Sequence, residues 1–155
     1  MRFIVDEMLG RLARWLRVLG FDAECPPTTT DSELVRRSVA EDRVLLTRDR
    51  ELSRCGALRR VILIRSVRLS DQLSQVLSEL SLSVEESRLF SRCLLCNAPV
   101  EPLPRSQARG NVPAYVFETQ SDFHRCPHCD RIYWPGTHWQ HVLDRLRLER
   151  VVSAG

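Results

Sequence analysis

"MRFIVDEMLGRLARWLRVLG", residues 1–20, carries the signal that decides the fold of this 155-residue chain. Phe3-Ile4-Val5, with Arg2, is a short apolar run of the kind that forms a buried strand. It stops at two adjacent acids, Asp6 and Glu7. From there Met8, Leu9, Leu12, Trp15, Leu16 and Leu19 fall, at about 100° per residue, on one side of a helix. Arg11, Arg14 and Arg17 fall on the other side, and Gly20 supplies a C-terminal stop.

Outward from this stretch the same alternation continues. "TDSELVRRSVAED" opens a second helix, with Thr30 and Glu33 at capping-box spacing and Leu34 and Val39 facing inward. "RVLLT" at 43–47 and "RRVILIR" at 59–65 read as buried strands, and a short helix lies between them. "LSDQLSQVLSEL" carries Leu69, Leu73, Val76, Leu77 and Leu80 on one stripe. Strand, helix, helix, strand, short helix, strand, helix is the order of an α/β fold, a parallel sheet covered by helices on both faces.

Between 81 and 92 the pattern breaks into serines and charges, which sets a boundary between a first domain, 1–85, and a second, 90–150. After it come the proline-rich "NAPVEPLP", β-type runs at "AYVFE" and "RIYW", and a closing basic helix pattern, "HWQHVLDRLRLER". The second domain is too small for a large core and needs another means of holding itself together.

Its cysteines provide one. "CLLC" gives Cys93 and Cys96, and "CPHC" gives Cys126 and Cys129. Two C-x-x-C turns place four thiolates around one tetrahedral Zn²⁺, a structural site with no open position for catalysis. The 29 intervening residues exceed the commonest spacing of about 15–20, which a hairpin between the two turns accommodates. His124, His128, His138 and His141 lie nearby but are not needed by a four-thiolate ion and are expected to be exposed or packing residues. Cys25 and Cys55, without partners at motif spacing, are expected to be buried or half-buried free thiols.

Functional groups in a parallel sheet gather at the carboxyl ends of its strands. Asp6 ends the first strand, Asp49 lies just beyond the next in "LLTRDRE", Asp31 opens the second helix, and Glu51 follows Asp49 by two residues. Such acids repel one another unless they hold cations, and an all-oxygen donor set favours Mg²⁺ or Mn²⁺. These ions activate water for attack on a phosphodiester, and Arg11, Arg14, Arg48 and Arg50 flank the acids where they can hold a nucleic-acid backbone. Taken singly, Asp31, Glu51 and Glu7 are also ordinary acids of a first helical turn. Asp6 and Asp49 directly follow apolar strands, where a charge needs partners or a function.

Charge and composition constrain the partners. All 23 basic residues are arginine, a planar fork suited to phosphate, yet the net charge is only +3 and supplies no electrostatic footprint by itself. A GC-rich genome, whose codons favour arginine, is the better account of such a bias. No run of about 18 apolar residues occurs and the N-terminus becomes charged within six residues, which leads to the expectation of a soluble, cytoplasmic protein without a membrane span.

"FIVDEMLGRLARWLRVLGFD", "LLTRDREL", "RCLLCNAPVEPLP" and "FHRCPHCDRIYWPGTHW", in this order over roughly residues 1–145, resemble the mut-seven C-terminal RNase domain family. The resemblance implies a PIN-like three-layer α/β nuclease domain with a mainly parallel sheet, followed by a zinc ribbon. It implies a metal-dependent, endonucleolytic ribonuclease site in which Asp6, Asp31 and Asp49 bind Mg²⁺ or Mn²⁺, Glu51 is a fourth acid and Glu7 a reserve. The ribbon ligands map onto Cys93, Cys96, Cys126 and Cys129. The alternative expectation is a non-catalytic RNA-binding module, associated with the ribosome or tRNA. There the interleaved Arg125, Arg131, Tyr133, Trp134 and Trp139 would stack bases and touch phosphates.

Overall fold

The computed structural model describes residues 1–148. Four strands, β1 (Arg2–Val5), β2 (Asp22–Glu24), β3 (Val44–Thr47) and β4 (Val61–Leu63), form one wholly parallel sheet in the order β2-β1-β3-β4. Helices α1 (Gly10–Val18), α2 (Asp31–Ala40), α3 (Arg50–Ser53) and α4 (Leu69–Glu79) connect and follow the strands. Phe3, Val5, Val44 and Leu46 pack on one face with Leu12 and Leu16 of α1 and Leu73 and Val76 of α4. Ile4 and Leu45 pack on the other face with Leu34 of α2 and Leu52 of α3. Because successive residues of β1 and β3 enter opposite cores, Phe3–Val5 and Val44–Leu46 are apolar without alternation, the signature of a sheet covered on both sides.

The alternation of strands and helices reads as expected, with one strand added. β2, Asp-Ala-Glu, has no apolar run and pairs in parallel with β1, with an Arg2–Asp22 ion pair at 3.5 Å beside the backbone ladder. Thr30 caps α2 as its spacing predicts, accepting from Glu33 N at 3.2 Å, but the Glu33 carboxylate turns to Arg36 instead of back to the cap. Gly20 adopts φ +86° and a Cβ there would lie 2.4 Å from Arg88 O, so the helix stop also admits a close backbone approach.

Two positions of the first helical pattern are corrected. Met8, expected inward, belongs to a single 3₁₀ turn (Glu7–Leu9) ahead of α1 and is 81% exposed. Arg17, expected outward, is only 7% exposed. Its guanidinium donates to Ala23 O at 2.8 Å, Leu94 O at 2.8 Å and Leu95 O at 3.0 Å, so a buried charge is compensated by three carbonyls.

The second part of the chain holds an antiparallel sheet of β5 (Glu101–Leu103), β6 (Phe123–Arg125) and β7 (Ile132–Tyr133), with helices α5 (Arg105–Ala108), α6 (Ala114–Thr119) and α7 (Thr137–Leu148). "AYVFE" is helical, not β-type. Pro113 immediately before it has φ −55°, and the adjacent Val116 (buried) and Phe117 (half-buried) both pack on the small core of Leu103, Ala108 and Phe123, so the segment lacks strand alternation. The closing helix forms as the sequence indicates, although residues 149–155 and the side chains of His138 and Trp139 lie outside the described residues. Among the described residues no helix is long and apolar enough to cross a membrane.

Candidate metal centres and the acid edge

Each C-x-x-C pair is a turn of the same construction. Cys93 N donates to Ala98 O at 2.8 Å and Asn97 N to Cys93 O at 3.0 Å; Cys126 N donates to Arg131 O at 2.9 Å and Asp130 N to Cys126 O at 3.0 Å. Asn97 (φ 69°) and Asp130 (φ 57°) occupy the left-handed region that closes each turn, a conformation Asn and Asp tolerate better than most side chains. The pairing of β6 with its neighbours brings the two turns together, and the four sulfurs lie within 4.8 Å of one another. Zn–S bonds of about 2.3 Å place tetrahedral sulfurs about 3.8 Å apart. The donor set and its spacing therefore fit a structural metal such as zinc.

The thiols respond to one another. Burial pushes the Cys93 thiol up, but the Tyr133 hydroxyl at 3.1 Å and the Cys96 and Leu95 amides outweigh it and hold Cys93 at about 6. Cys96 is pushed up to about 12 by burial and by the competing sulfurs around it. Four thiolates at this separation need a cation before all can ionise. His128 and His141 are exposed, as expected of residues the site does not require, and His124 lies 3.8 Å from Asp122. Cys25 and Cys55 are half-buried free thiols.

The first turn is anchored directly to the parallel sheet. Asn97 Oδ1 accepts from Ala23 N at 3.0 Å, and Asn97 Nδ2 donates to Asp22 at 2.7 Å and Glu24 at 3.1 Å. Arg17 holds the two carbonyls between Cys93 and Cys96. The outer edge of β2 is thus closed by the cysteine turn, which protects an edge that would otherwise offer unpaired backbone groups.

The acids lie where the topology opens the sheet. β1 and β3 are neighbours, but the chain leaves β1 toward α1 on one face and β3 toward α3 on the other. This is the switch point of a parallel sheet, at the strands' carboxyl ends. Asp6 N donates to Leu46 O at 3.0 Å, which continues the β1–β3 register by one residue. Fully buried Thr47 then joins the two acids: its hydroxyl donates to Asp6 Oδ2 at 3.0 Å and accepts from Asp49 N at 3.0 Å. Asp49 Oδ1 accepts from Glu51 N at 2.7 Å and Leu52 N at 3.1 Å, capping α3.

The remaining sequence-predicted acids are placed differently. Asp31 is exposed in the first turn of α2. Glu51 is exposed, 3.6 Å from Arg54. Glu7 Oε2 accepts from Thr28 N at 3.2 Å, tying the loop before α2 to the start of α1. Among the described residues no hydrogen bond links Asp31 or the Glu51 carboxylate to Asp6 or Asp49, and the cysteines are the single group of three or more metal-ligating side chains gathered within ion-binding reach. Arg11, Arg14, Arg48 and Arg50 are exposed and have no side-chain partner among the described residues. Thr47 was not singled out from the sequence; a hydroxyl ending a buried apolar strand immediately before Arg48-Asp49 was the available signal.

The family model described as the Mut7-C RNAse domain matches residues 1–146, and the chain belongs to that family. No curated protein and no solved structure matches it.

Proposed function

We propose that this member of the Mut7-C RNAse domain family is a divalent-metal-dependent endoribonuclease acting at the switch point between β1 and β3. In this assignment residues 1–85 form the nuclease domain and residues 90–150 the ribbon. The observation that carries it is the Asp6–Thr47–Asp49 arrangement: two acids just beyond the ends of adjacent strands, linked by one buried hydroxyl that donates to the Asp6 carboxylate and accepts from the Asp49 backbone N–H. Each keeps an oxygen outside that arrangement, Asp6 Oδ1 and Asp49 Oδ2, so the donor chemistry fits a hard cation. Asp31 completes the proposed ligand set, with Glu51 and Glu7 as further acids at the same edge.

When bound there, Mg²⁺ or Mn²⁺ supplies an activated water and charge stabilisation for phosphodiester hydrolysis. Thr47 fixes the orientation of Asp6 and so limits the reorganisation needed as charge develops. Arg11, Arg14, Arg48 and Arg50 neutralise the RNA backbone on either side of the acids.

Purified protein incubated with structured and single-stranded RNA is expected to cleave only with Mg²⁺ or Mn²⁺. Asp6→Asn and Asp49→Asn preserve shape, Thr47 contact and helix cap, yet each is expected to reduce cleavage about 100-fold or more, roughly 2.7 kcal/mol of transition-state stabilisation. Undiminished cleavage in the double variant would overturn the assignment.

A non-catalytic RNA-binding role, with ribosome or tRNA association, has support from a separate feature. A polar cleft of about 770 Å³ in the ribbon is lined by Arg109, Arg125 and Arg131 with Gln107 and Asn111. If RNA affinity and its salt slope are unchanged in an Arg109→Ala, Arg125→Ala, Arg131→Ala variant, the ribbon is not the RNA-binding surface.

A further inference from the structure

Between the turn that follows Asp6 and the start of α4 lies a cleft of about 160 Å³, lined by Met8, Leu9, Arg11, Arg48, Val67 and Gln72 among others. Resting on the assignment of the acid edge as a nuclease site, we infer that this cleft receives a nucleobase of single-stranded RNA, from a nucleotide adjoining the phosphate to be cut.

Position supplies the first argument. Met8 lies two residues beyond Asp6, and Arg48 stands between Thr47 and Asp49, so the cleft opens from the same two strand ends as the acids. A chain whose phosphate lies at Asp6 and Asp49 has its neighbouring nucleotide within reach of this wall.

Exposed apolar surface supplies the second. Met8 is 81% and Val67 74% exposed, two of the few large apolar side chains left in water, and both line this cleft. Neither contributes to a core, so their placement needs another account. The flat face of a base is an apolar surface of the appropriate kind, and the polarizable Met8 thioether adapts to any of the four.

Charge and hydrogen bonding supply the third. Arg11 and Arg48 have no partner among the described residues, leaving two guanidinium groups free to meet a phosphate or stack on a ring. Gln72 is buried, and its Nε2 donates to Ser66 O at 2.9 Å, which fixes the carboxamide oxygen as the acceptor end. An acceptor in the cleft lining matches an N–H on a base edge, a donor that every base carries. A protein or lipid partner would draw on the apolar rim without needing both a fixed acceptor and unpaired arginines beside the acids.

The test uses the full chain, loaded with zinc and carrying Asp6→Asn so that RNA is bound without turnover. Fluorescence polarisation measures affinity for a labelled single-stranded RNA and for a series in which one ribose at a time lacks its base. At one position, base removal is expected to weaken binding about tenfold. Adding Met8→Ser and Val67→Ser, both at exposed positions, should weaken the intact RNA to the same level and abolish the cost of base removal. Arg11→Ala with Arg48→Ala should instead weaken every RNA alike and lower the salt slope by about 1.4.

Equal loss at every abasic position, base dependence that survives the Met8, Val67 variant, or no binding of any RNA would overturn the inference. Cleavage assays with Asp6 restored separate the two assignments. Normal cleavage in the Met8, Val67 variant, together with equal binding of all abasic RNAs by the chain that keeps Met8 and Val67, removes the cleft and leaves the nuclease. Base-dependent binding without cleavage by the parent chain removes the nuclease and leaves the cleft.

Discussion

Cys93 and Cys126 occupy the same place in two turns of the same hydrogen bonding, whereas Asp6 and Asp49 are linked, through the Thr47 hydroxyl, only because two strands pair in a particular register. The cysteine pairs are local constructions: four residues, one left-handed closing position and two backbone hydrogen bonds point two sulfurs in one direction. Assembly of the full site then needs only that the ribbon sheet bring one turn to the other. The acids are a tertiary construction, with nothing between residues 6 and 49 in sequence to indicate that one hydroxyl would join them. The difference predicts that the cysteine region depends on its metal to stay folded, while the acid edge, standing on a sheet buried on both faces, does not.

Metal removal should therefore produce the largest effect. The ribbon's own core is Leu103, Ala108, Val116 and Phe123 with a few partly buried neighbours, too little to hold a domain of about 60 residues unaided. Chelation, or Cys93→Ser with Cys126→Ser, is expected to abolish hydrogen-exchange protection over residues 93–133. Amides of β1 and β3 should remain protected, while Ala23 N, which donates to Asn97, should lose protection with the ribbon. Simultaneous loss in β1 and β3 would show that the two regions fold as one unit and erase the contrast.

The two cysteine turns can next be set against each other. Asn97 is buried and spends its carboxamide on Ala23, Asp22 and Glu24; Asp130 is exposed and has only Arg125, at 3.7 Å, near its carboxylate. Both substitutions to alanine carry the cost of a left-handed residue without its tolerant side chain. Only Asn97→Ala also leaves a buried amide and two carboxylates short of a partner, so it should destabilise by about 2 kcal/mol more than Asp130→Ala. Chemical denaturation of the zinc-loaded protein measures the gap, and equal losses would mean that the Asn97 contacts contribute no stability.

What the sequence revealed divides along the same line. Apolar runs located β1, β3 and β4, and apolar stripes located α1 and α4, while α2 was marked by the Thr30–Glu33 cap spacing and α3, which buries only Leu52, by its place between two strands. Spacing alone located the cysteines. β2 escaped because Asp22-Ala23-Glu24 is held by a parallel neighbour on one side and by Asn97 and Arg17 on the other, leaving no apolar pattern to read. Arg17 was misplaced for a related reason. Helical spacing puts it opposite Leu12 and Leu16, but the ribbon covers that side with carbonyls that only the folded chain brings there. Asp6 and Asp49 were legible as charges ending apolar strands, and Thr47 was not, since a threonine in a strand needs no explanation until its hydroxyl is seen between them.

The junction between the two regions also carries the smallest effect expected, a dependence on acid. Burial pushes the Asp22 carboxyl up, but hydrogen bonds from Arg43 and Asn97, both at 2.7 Å, outweigh it and leave the group at about 2. The unfolded carboxyl titrates near 3.9, so the unfolded chain binds the proton first as pH falls. The stabilisation is therefore complete above about pH 4 and lost as pH drops toward 2, on the order of 1–2 kcal/mol. Glu41, held at about 2 by Arg37 and Arg43, titrates in the same direction but is more exposed and contributes less. Acid also protonates thiolates and would release a metal held by the four cysteines, so the parent chain alone cannot separate the two causes. Asp22→Asn can. It keeps the shape and removes the titration, so its deficit against the parent, read from urea midpoints, should be full at pH 6 and vanish near pH 2. A deficit that stays constant across that range would assign the cost to altered hydrogen bonding at the junction, with the charge of Asp22 playing no part.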